Sequence, residues 1–238
     1  MNLNEAIIAR HSVRRYKNSP IPQEVVAALQ EKIDQVNAEG GLHVQLILNE
    51  PKGFNSFLNY GVFSGVSNYF VVAGQKSESL NERAGYYGEQ LVLLAQQLGL
   101  NTCWAGLTYQ KVPGTYSLAD GEKIICYIAL GYGENQGTER KHRAVSEISN
   151  ASDQTPDWFN KGVEAARLAP TAVNQQKFFI EYLGEKPGHD KPLVSIRRTF
   201  SMMGYTEVDL GIVRLHFEIG AGKGSYEIGA GKDPFEWK

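Results

Sequence analysis

The chain lacks most of the residue patterns that mark metal sites and disulfide frameworks. Only two cysteines, Cys103 and Cys126, occur in 238 residues, and both lie in apolar surroundings far apart in the sequence. Such a pair has neither metal-ligand spacing nor a disulfide partner pattern, so we interpret both as buried free thiols. The five histidines show no ligand spacing either, and no metal site is predicted.

Long apolar runs and a strong net charge are also lacking. No stretch of about 18 apolar residues and no N-terminal leader pattern is present, so we expect a cytoplasmic protein without a spanning helix. The formal net charge is −2 and the isoelectric point is about 6.2. No global field therefore draws the chain to nucleic acid or to an anionic membrane. Local features must carry the function.

Two familiar catalytic motifs are absent as well. No Gly-x-Ser-x-Gly elbow occurs, which removes the usual signature of the α/β-hydrolases. A glycine-rich stretch after residue 219 resembles a Walker loop only superficially. Phe217 stands where that motif needs its first glycine, and Gly224 stands where it needs Ser or Thr.

A basic cluster near the N-terminus is the most distinctive feature that is present. The sequence RHSVRRY at 10–16 follows a short amphipathic run containing Leu3, Ala6 and Ile7, which predicts a first helix. One interpretation is a solvated helix end, where cations complement the helix dipole. The other is a phosphate site, because guanidinium groups form bidentate bonds to phosphate oxygens and a serine adds a donor. The segment alone leaves both open.

Hydrophobic periodicity predicts alternating helices and strands, hence an α+β fold. The further helices are predicted at residues 25–38, 80–98, 158–169 and 208–219. The strands are predicted at residues 44–48, 68–74, 124–130 and 178–182, with a short element at 101–106. Residues 51–67, rich in Gly, Asn, Ser and aromatics, are predicted as a loop that faces a ligand.

The chain is predicted to contain two weakly similar halves. A small polar stretch with a proline at 151–157 is the best boundary, giving halves 1–150 and 151–238. The helix-then-strand order at 25–48 recurs at 158–182, and the apolar helix at 208–219 corresponds to the one at 80–98. We expect each half to contribute a long helix to one shared core.

Five segments of the chain resemble the FMN-dependent nitroreductase family. Residues 10–16 resemble its N-terminal signature, and ARLAPTAVNQQ at 166–176 resembles its Ala-Pro-Ser-x-x-Asn-x-Gln segment. Residues 98–106 resemble its helix-to-strand turn. Residues 128–132 resemble its central strand, and residues 141–143 resemble its late basic pair.

The order of these segments departs from ordinary members of the family. In them the Asn-Gln segment follows the first helix, where this chain has residues 36–41, and the flavin lies at a homodimer interface. The chain resembles the family's single-chain branch, in which one polypeptide forms a pseudo-dimer. This resemblance implies a nitroreductase-like α+β fold with central helices and mixed β-sheets, a monomer, and one flavin per chain.

The resemblance also implies roles for individual residues. Arg10, Lys141 and Arg143 correspond to residues that hold the FMN phosphate, with His11 and Ser12 beside them. Arg14 corresponds to the cation near the flavin N1 and C2 oxygen, where it stabilises charge on the reduced ring. The turn over the flavin face corresponds to Ala105, Gly106 and Leu107. The segment that reaches in from the other half corresponds to Pro170, Thr171, Ala172 and Asn174.

The implied activity is hydride transfer from NAD(P)H through FMN to a nitroaromatic or quinone-like acceptor. No protein acid or base is required, because the cofactor carries the chemistry, and no catalytic side chain is predicted. The alternative is a catalytically silent flavin- or small-ligand-binding protein of the same fold. The shortened second half and the motif missing from the first half make that alternative reasonable. A purely structural α/β protein is the third interpretation.

Overall fold

The computed structural model describes residues 1–55, 62–222, 224 and 226–228. The chain divides into two compact units, Met1–Glu139 and Arg140–Lys238. The basic residues at 140–143, which the sequence-based boundary at 150 assigns to the first half, therefore belong to the second unit. Among the described residues, none of the helices combines the length and the apolarity that crossing a membrane requires.

Three helices form the helical layer of the first unit. Helix α1 spans Leu3–Ala9 and begins with a capping box, in which Asn2 and Glu5 each bond the other's main-chain N–H. Helix α2 spans Gln23–Gly40 after Pro22, and Gly41 ends it with a φ of 55°. Helix α3 spans Leu80–Gln97, and both α1 and α2 pack against it.

The sheet of the first unit is antiparallel, in the order β1-β2-β4-β3. Its strands are β1 Gln45–Ile47, β2 Asn68–Gln75, β3 Asn101–Ala105 and β4 Glu122–Gly131. All of β2 except Gln75 is buried, as its continuous apolar run predicts, and α3 packs against β2, β3 and β4.

The predicted alternation of Val44, Leu46 and Leu48 is wrong. Val44 and Ile47 are the buried residues of this segment, while Leu46 and Leu48 are only partly buried. The reason is that Val44 precedes the strand and is held by Asn37, whose side chain bonds its N–H at 2.7 Å and its carbonyl at 3.0 Å. Strand β1 begins only at Gln45, and Ile47 is its buried residue instead of Leu46.

A stack of aromatic rings fills the core of the first unit beside the sheet. The rings of Tyr69 and Tyr127 stack with 4.9 Å between centroids, and Tyr109 stacks on Tyr127 at 4.1 Å. Tyr109 lies four residues after β3, so this contact anchors the segment that leaves β3. Cys103 and Cys126 are buried free thiols, as predicted, and burial raises the pKa of Cys126.

The second unit has its own helix layer and a three-stranded sheet. Its helices are α4 Val145–Ile148, α5 Asp157–Arg167 and α6 Thr206–Ala221. Its strands are β5 Phe178–Gly184, β6 Leu193–Arg198 and β7 Glu227–Ile228, in the order β5-β6-β7. Strands β5 and β6 are antiparallel, while β6 and β7 are parallel, so this sheet is mixed.

Two glycines let α5 and α6 pack closely. A Cβ atom on Gly162 would lie 2.6 Å from the Phe217 ring, and one on Gly220 would lie 2.5 Å from the Ala165 Cβ. Helix α6 also packs against β6. This close packing holds the C-terminal half of α6 against α5.

The loop predicted at 51–67 is only partly described. It begins with a short 3-10 helix, Pro51–Phe54, and residues 56–61 lie outside the described residues. Phe54 is buried against Tyr69, with ring centroids 5.5 Å apart. Ser64 and Gly65, at the end of the loop, contact the N-terminal basic cluster.

Candidate functional site

The N-terminal basic cluster is an extended segment, which we call the basic strap (residues 10–17). Its main chain is held on both sides by other parts of the first unit. The Val13 N–H donates to the Thr102 carbonyl of β3 at 3.0 Å, and the Tyr16 N–H donates to the Ser64 carbonyl at 3.0 Å. The Lys17 N–H donates at 2.8 Å to the carbonyl of Tyr132, which directly follows β4. The Arg15 carbonyl accepts from the Glu134 N–H at 2.9 Å.

Two glycines let neighbouring loops touch the strap. Gly65 has a φ of +71°, and a Cβ atom there would overlap the carbonyl oxygen of Tyr16. Gly137 has a φ of +81°, and a Cβ atom there would lie 2.5 Å from the His11 Cβ. Both positions need a residue without a side chain, because the backbone is left-handed and the space is already filled.

A buried asparagine organises the glycine turn after β4. The Asn101 Oδ1 accepts the N–H of Gly133 at 2.9 Å, and its Nδ2 donates to the Gln136 Oε1 at 3.0 Å. Asn101 is 4% exposed. Asn101 has no motif of its own that marks it in the sequence, and it directly precedes Thr102, which pairs with the strap.

The strap is anchored by two buried side chains. Val13 and Tyr16 are 1% and 3% exposed, and the Tyr16 hydroxyl donates to the Val13 carbonyl at 2.8 Å. The residues named by the family resemblance are partly exposed, namely Arg10, His11, Ser12 and Arg14. The strap therefore presents polar and cationic side chains from a rigid main chain.

The turn after β3 lies on the same edge of the sheet as the strap. Ser12 bridges to Thr102, three residues before Ala105. Ala105 is 1% exposed, whereas Leu107 is 72% exposed. Trp104 is partly buried and donates its indole N–H to the Glu89 Oε2 at 2.9 Å, which agrees with a wall or core position. The structure thus pairs the strap, which carries four of the predicted site residues, with the strand that leads into Ala105, Gly106 and Leu107.

The second unit contains a backbone conformation that most residues avoid. We call residues 170–176 the strained loop. Within it Val173, Asn174 and Gln176 have φ values of 47°, 58° and 46°. Such values are uncommon outside glycine and are outliers for a β-branched residue like valine. They persist only where the surroundings impose them.

Side-chain amides join the strained loop to the basic residues at 141–143. The Gln176 Oε1 accepts the Arg143 N–H at 2.9 Å, and its Nε2 donates to the Lys141 carbonyl at 3.2 Å. The Asn174 Nδ2 donates to the same carbonyl at 2.9 Å. The Gln176 N–H donates to the Thr171 Oγ1 at 3.0 Å. Four predicted site residues from two distant motifs, Lys141, Arg143, Thr171 and Asn174, therefore converge.

The opposite side of the strained loop rests on a carboxylate of α6. The Asp209 Oδ1 accepts the Ala172 N–H at 2.9 Å, and its Oδ2 accepts the Gln175 Nε2 at 2.7 Å. The Ser201 hydroxyl donates to the Gln175 Oε1 at 2.6 Å. Burial raises the pKa of Asp209 to about 7, although both accepted hydrogen bonds act to lower it.

The cations of the candidate site remain available to an anionic ligand. Within the part of the chain that the structure describes, the side chains of Arg14, Lys141 and Arg143 form no ion pair with a carboxylate. Nearby His142 points its Nδ1 at the Arg167 carbonyl, 3.0 Å away. Cationic side chains with hydroxyl and amide donors beside them are the set that a phosphate group requires.

The sequence did not reveal the residues that support the candidate site through hydrogen bonds, although it predicted those that would contact a ligand. Gln176 closes the quoted motif, so its presence was visible, but its role was not. Asp209 stands in the first turn of an apolar helix, where an acidic residue is ordinary. No sequence signal separates it from Glu207, two positions earlier, which pairs with Arg198 at 3.0 Å on the surface.

Comparisons with known proteins find a family model and solved structures that are similar to this chain. The family model described as "Putative TM nitroreductase" matches residues 2–221. A solved "putative nitroreductase" of Thermotoga maritima is 25% identical with a TM-score of 0.63, over 92% of this chain and 83% of that one. No curated protein matches the chain.

Two more distant structures share the fold. A "putative nitroreductase in complex with FMN" of Desulfovibrio desulfuricans is 17% identical, with a TM-score of 0.51 over 66% of this chain and 99% of that one. The "hypothetical oxidoreductase YcnD" of Bacillus subtilis is 12% identical, with a TM-score of 0.51 over 66% and 76%. The predicted nitroreductase-like α+β fold is confirmed.

Proposed function

Because the chain belongs to the nitroreductase family whose model it matches over residues 2–221, we propose that it is an FMN-dependent oxidoreductase. We propose that it transfers a hydride from NAD(P)H to nitroaromatic or quinone-like acceptors. The family supports the oxidoreductase role. The observation that carries the cofactor is the convergence of Lys141 and Arg143 with Asn174, since no carboxylate among the described residues forms an ion pair with either cation.

The donor chemistry of these residues fits a flavin mononucleotide. We assign its binding to Arg10, His11, Ser12, Arg14, Ala105, Gly106, Leu107, Lys141, Arg143, Pro170, Thr171, Ala172 and Asn174. When bound, the flavin supplies a ring that accepts and donates a hydride. The residues of the chain supply position, charge and exclusion of water.

Each group of residues has a separate task in this proposal. Arg10, Lys141 and Arg143 bind the phosphate by charge-assisted hydrogen bonds, and Ser12 adds a hydroxyl donor. Arg14 places positive charge beside the N1 and C2 side of the ring, which favours the reduced cofactor. Gly106 has no side chain, so a ring can approach the main chain there closely. No side chain has to move a proton.

We also propose that one polypeptide suffices for one flavin, with residues of both units contributing. The second unit supplies Asn174, and no second copy of the chain is then required. Titration of the protein with FMN should saturate at one equivalent per chain, in a species whose mass is that of the monomer. Saturation at one flavin per two chains would contradict the single-chain proposal and leave the oxidoreductase proposal intact.

The experiment that tests the function is an FMN titration followed by quenching of flavin fluorescence. Replacing Arg10 or Arg143 by alanine should weaken binding by about 1.5–3 kcal/mol, the usual contribution of a charge-assisted hydrogen bond. Asn174→Ala should also weaken binding, because Asn174 holds the Lys141 carbonyl.

The matched control for Arg143 is Arg197→Ala. Arg197 is an exposed arginine of the same unit that lies 4.9 Å over the Phe179 ring, outside the assigned residues. Its replacement should leave the FMN affinity unchanged. Equal losses in all four variants, or no loss in any, would contradict the phosphate assignment.

A further inference from the structure

Asp209 is a buried carboxylate without a cationic partner in the part of the chain that the structure describes. It is 6% exposed and takes part in no ion pair. Burying a charge in this way costs stability unless hydrogen bonds compensate for it. The two donors that it meets, the Ala172 N–H and the Gln175 Nε2, both belong to the strained loop. A residue retained at such a cost needs a reason other than global stability.

The strained loop has a backbone conformation that its internal hydrogen bonds alone do not explain. Three of its seven residues, Val173, Asn174 and Gln176, have left-handed backbone conformations, which cost free energy and persist only where the surroundings impose them. Val173 is 70% exposed, so packing of its side chain contributes little. Ala172 and Gln175, which lie on either side of Val173 and Asn174, both donate hydrogen bonds to the Asp209 carboxylate. These bonds are placed to offset the strain of the residues between them.

Holding the loop also holds the basic residues at 141–143. Asn174 and Gln176 donate to the Lys141 carbonyl, and Gln176 accepts the Arg143 N–H. Hydrogen bonds therefore connect Asp209 of α6 to the strained loop, and the strained loop to the main chain of Lys141 and Arg143. Asp209 itself is not assigned to the cofactor.

We propose that Asp209 is a positioning residue, whose carboxylate sets the strained loop and through it the main chain of Lys141 and Arg143, so that these cations meet the flavin phosphate. The last step of this inference rests on the proposed function. The raised pKa of Asp209 agrees with a carboxylate that is kept in place against the cost of burial. Nothing in the family resemblance assigns a role to this residue.

The test compares three variants by residue-resolved amide hydrogen exchange on the protein without flavin. Asp209→Ala removes both acceptors, Asp209→Asn keeps one, and Glu207→Gln is the control two positions away on the same helix. The readouts are the Ala172 amide, which bonds Asp209 directly, and the Arg143 amide, which bonds Gln176. The Ile180 amide of the β5-β6 pair reports on the rest of the unit.

Exchange at both Ala172 and Arg143 should accelerate by about tenfold or more in Asp209→Ala, and by less in Asp209→Asn. Ile180 should be unaffected in both, and Glu207→Gln should behave like the wild type. An unchanged rate at Arg143 would overturn the inference. Acceleration of equal size at Ile180 would also overturn it, because Asp209 would then support the whole unit rather than the loop.

The FMN affinities of the same proteins separate this inference from the proposed function. Binding should weaken at least about tenfold in Asp209→Ala, less in Asp209→Asn, and not at all in Glu207→Gln. Wild-type protein that binds no FMN would refute the proposed function, while the exchange rates would still decide whether Asp209 sets the loop. Accelerated exchange with unchanged FMN affinity would refute the positioning role for the cofactor.

Discussion

The basic strap and the strained loop both carry predicted cofactor residues, but different parts of the chain hold them in place. The strap is extended and bonded through its main chain to β3, β4 and the loop at Ser64. The strained loop has three left-handed non-glycine residues and is held by the side chains of Asn174, Gln176 and Asp209. One segment is positioned by backbone pairing, the other by side-chain hydrogen bonds.

This difference predicts opposite sensitivities to mutation. In the strap, the partly exposed side chain of Arg14 can be replaced without loss of the main-chain pairing, so only ligand binding should change. In the strained loop, removing one amide or carboxylate leaves buried donors and acceptors unpaired, which costs stability. Only a change that prevents the backbone pairing, or that removes one of the buried anchors Val13 and Tyr16, should disrupt the strap.

Gly65→Ala should have the largest effect, because it breaks the pairing of the strap. The new Cβ would overlap the Tyr16 carbonyl oxygen, which shares a planar peptide unit with the Lys17 N–H and so cannot move without disturbing the Lys17 bond to Tyr132. We expect a loss of about 3 kcal/mol or more in the free energy of unfolding, measured by urea denaturation. The control is Gly114→Ala, with a φ of +85° but no heavy atom within 4 Å. Equal losses at the two glycines would show that backbone strain, rather than contact with the strap, is the cause.

Gln176→Ala should have the next largest effect, this time in the strained loop. The buried amide serves the Arg143 N–H, the Lys141 carbonyl and the Asn174 carbonyl. Its loss should lower the free energy of unfolding by about 2–3 kcal/mol and weaken FMN binding as well. Gln154→Ala, at an exposed position, should change neither quantity. A variant of Gln176 with unaltered stability would contradict the view that side chains hold the loop.

Asp209→Asn should remove a pH dependence of stability. Burial raises the pKa of Asp209 from 3.8 to about 7, so between roughly pH 4 and 7 the folded state binds a proton that the unfolded state has released. This contribution to stability is complete below pH 4 and is lost as the pH rises through 7. The wild type should therefore lose up to about 1.4 kcal/mol per pH unit relative to Asp209→Asn in this window. Parallel stability curves for the two proteins would contradict the raised pKa.

Val173→Gly should have the smallest effect, and it should be stabilising. Glycine adopts a φ of 47° without steric cost, and the exposed valine side chain contributes little packing. The substitution relieves backbone strain but adds the entropy cost of ordering a glycine. The free energy of unfolding should therefore rise by about 1 kcal/mol, measured by thermal unfolding. Val112→Gly, at a position without a positive φ, should destabilise instead. A destabilised Val173→Gly variant would show that the loop is not strained there.

Most of the elements could be predicted from the sequence because their periodicity is strong. The predicted helix at 80–98 is α3, Leu80–Gln97, and the predicted helix at 208–219 is α6, Thr206–Ala221. Strand β6, Leu193–Arg198, was not predicted, since its apolar residues are followed by two exposed arginines and preceded by a polar segment. This strand gains its structure from pairing with β5 rather than from its own pattern.

The candidate site was predictable only where a residue faces a ligand. Motif residues such as Arg10, Arg143 and Asn174 could be named because their types and order resemble a family. Asp209 and Asn101 could not, because a supporting role depends on which groups the fold places opposite them. The left-handed conformation of Val173 has no sequence signal, since valine is among the residues least suited to it.

The central claim is that this chain binds FMN and turns it over. The most direct measurement is the visible absorbance spectrum of the purified protein with one equivalent of FMN, recorded anaerobically before and after addition of NADH or NADPH. The proposed function predicts a bound flavin whose absorbance bleaches with either nicotinamide and returns when a quinone is added. A bound flavin that keeps its absorbance would identify a silent binder, and free flavin throughout would contradict the account.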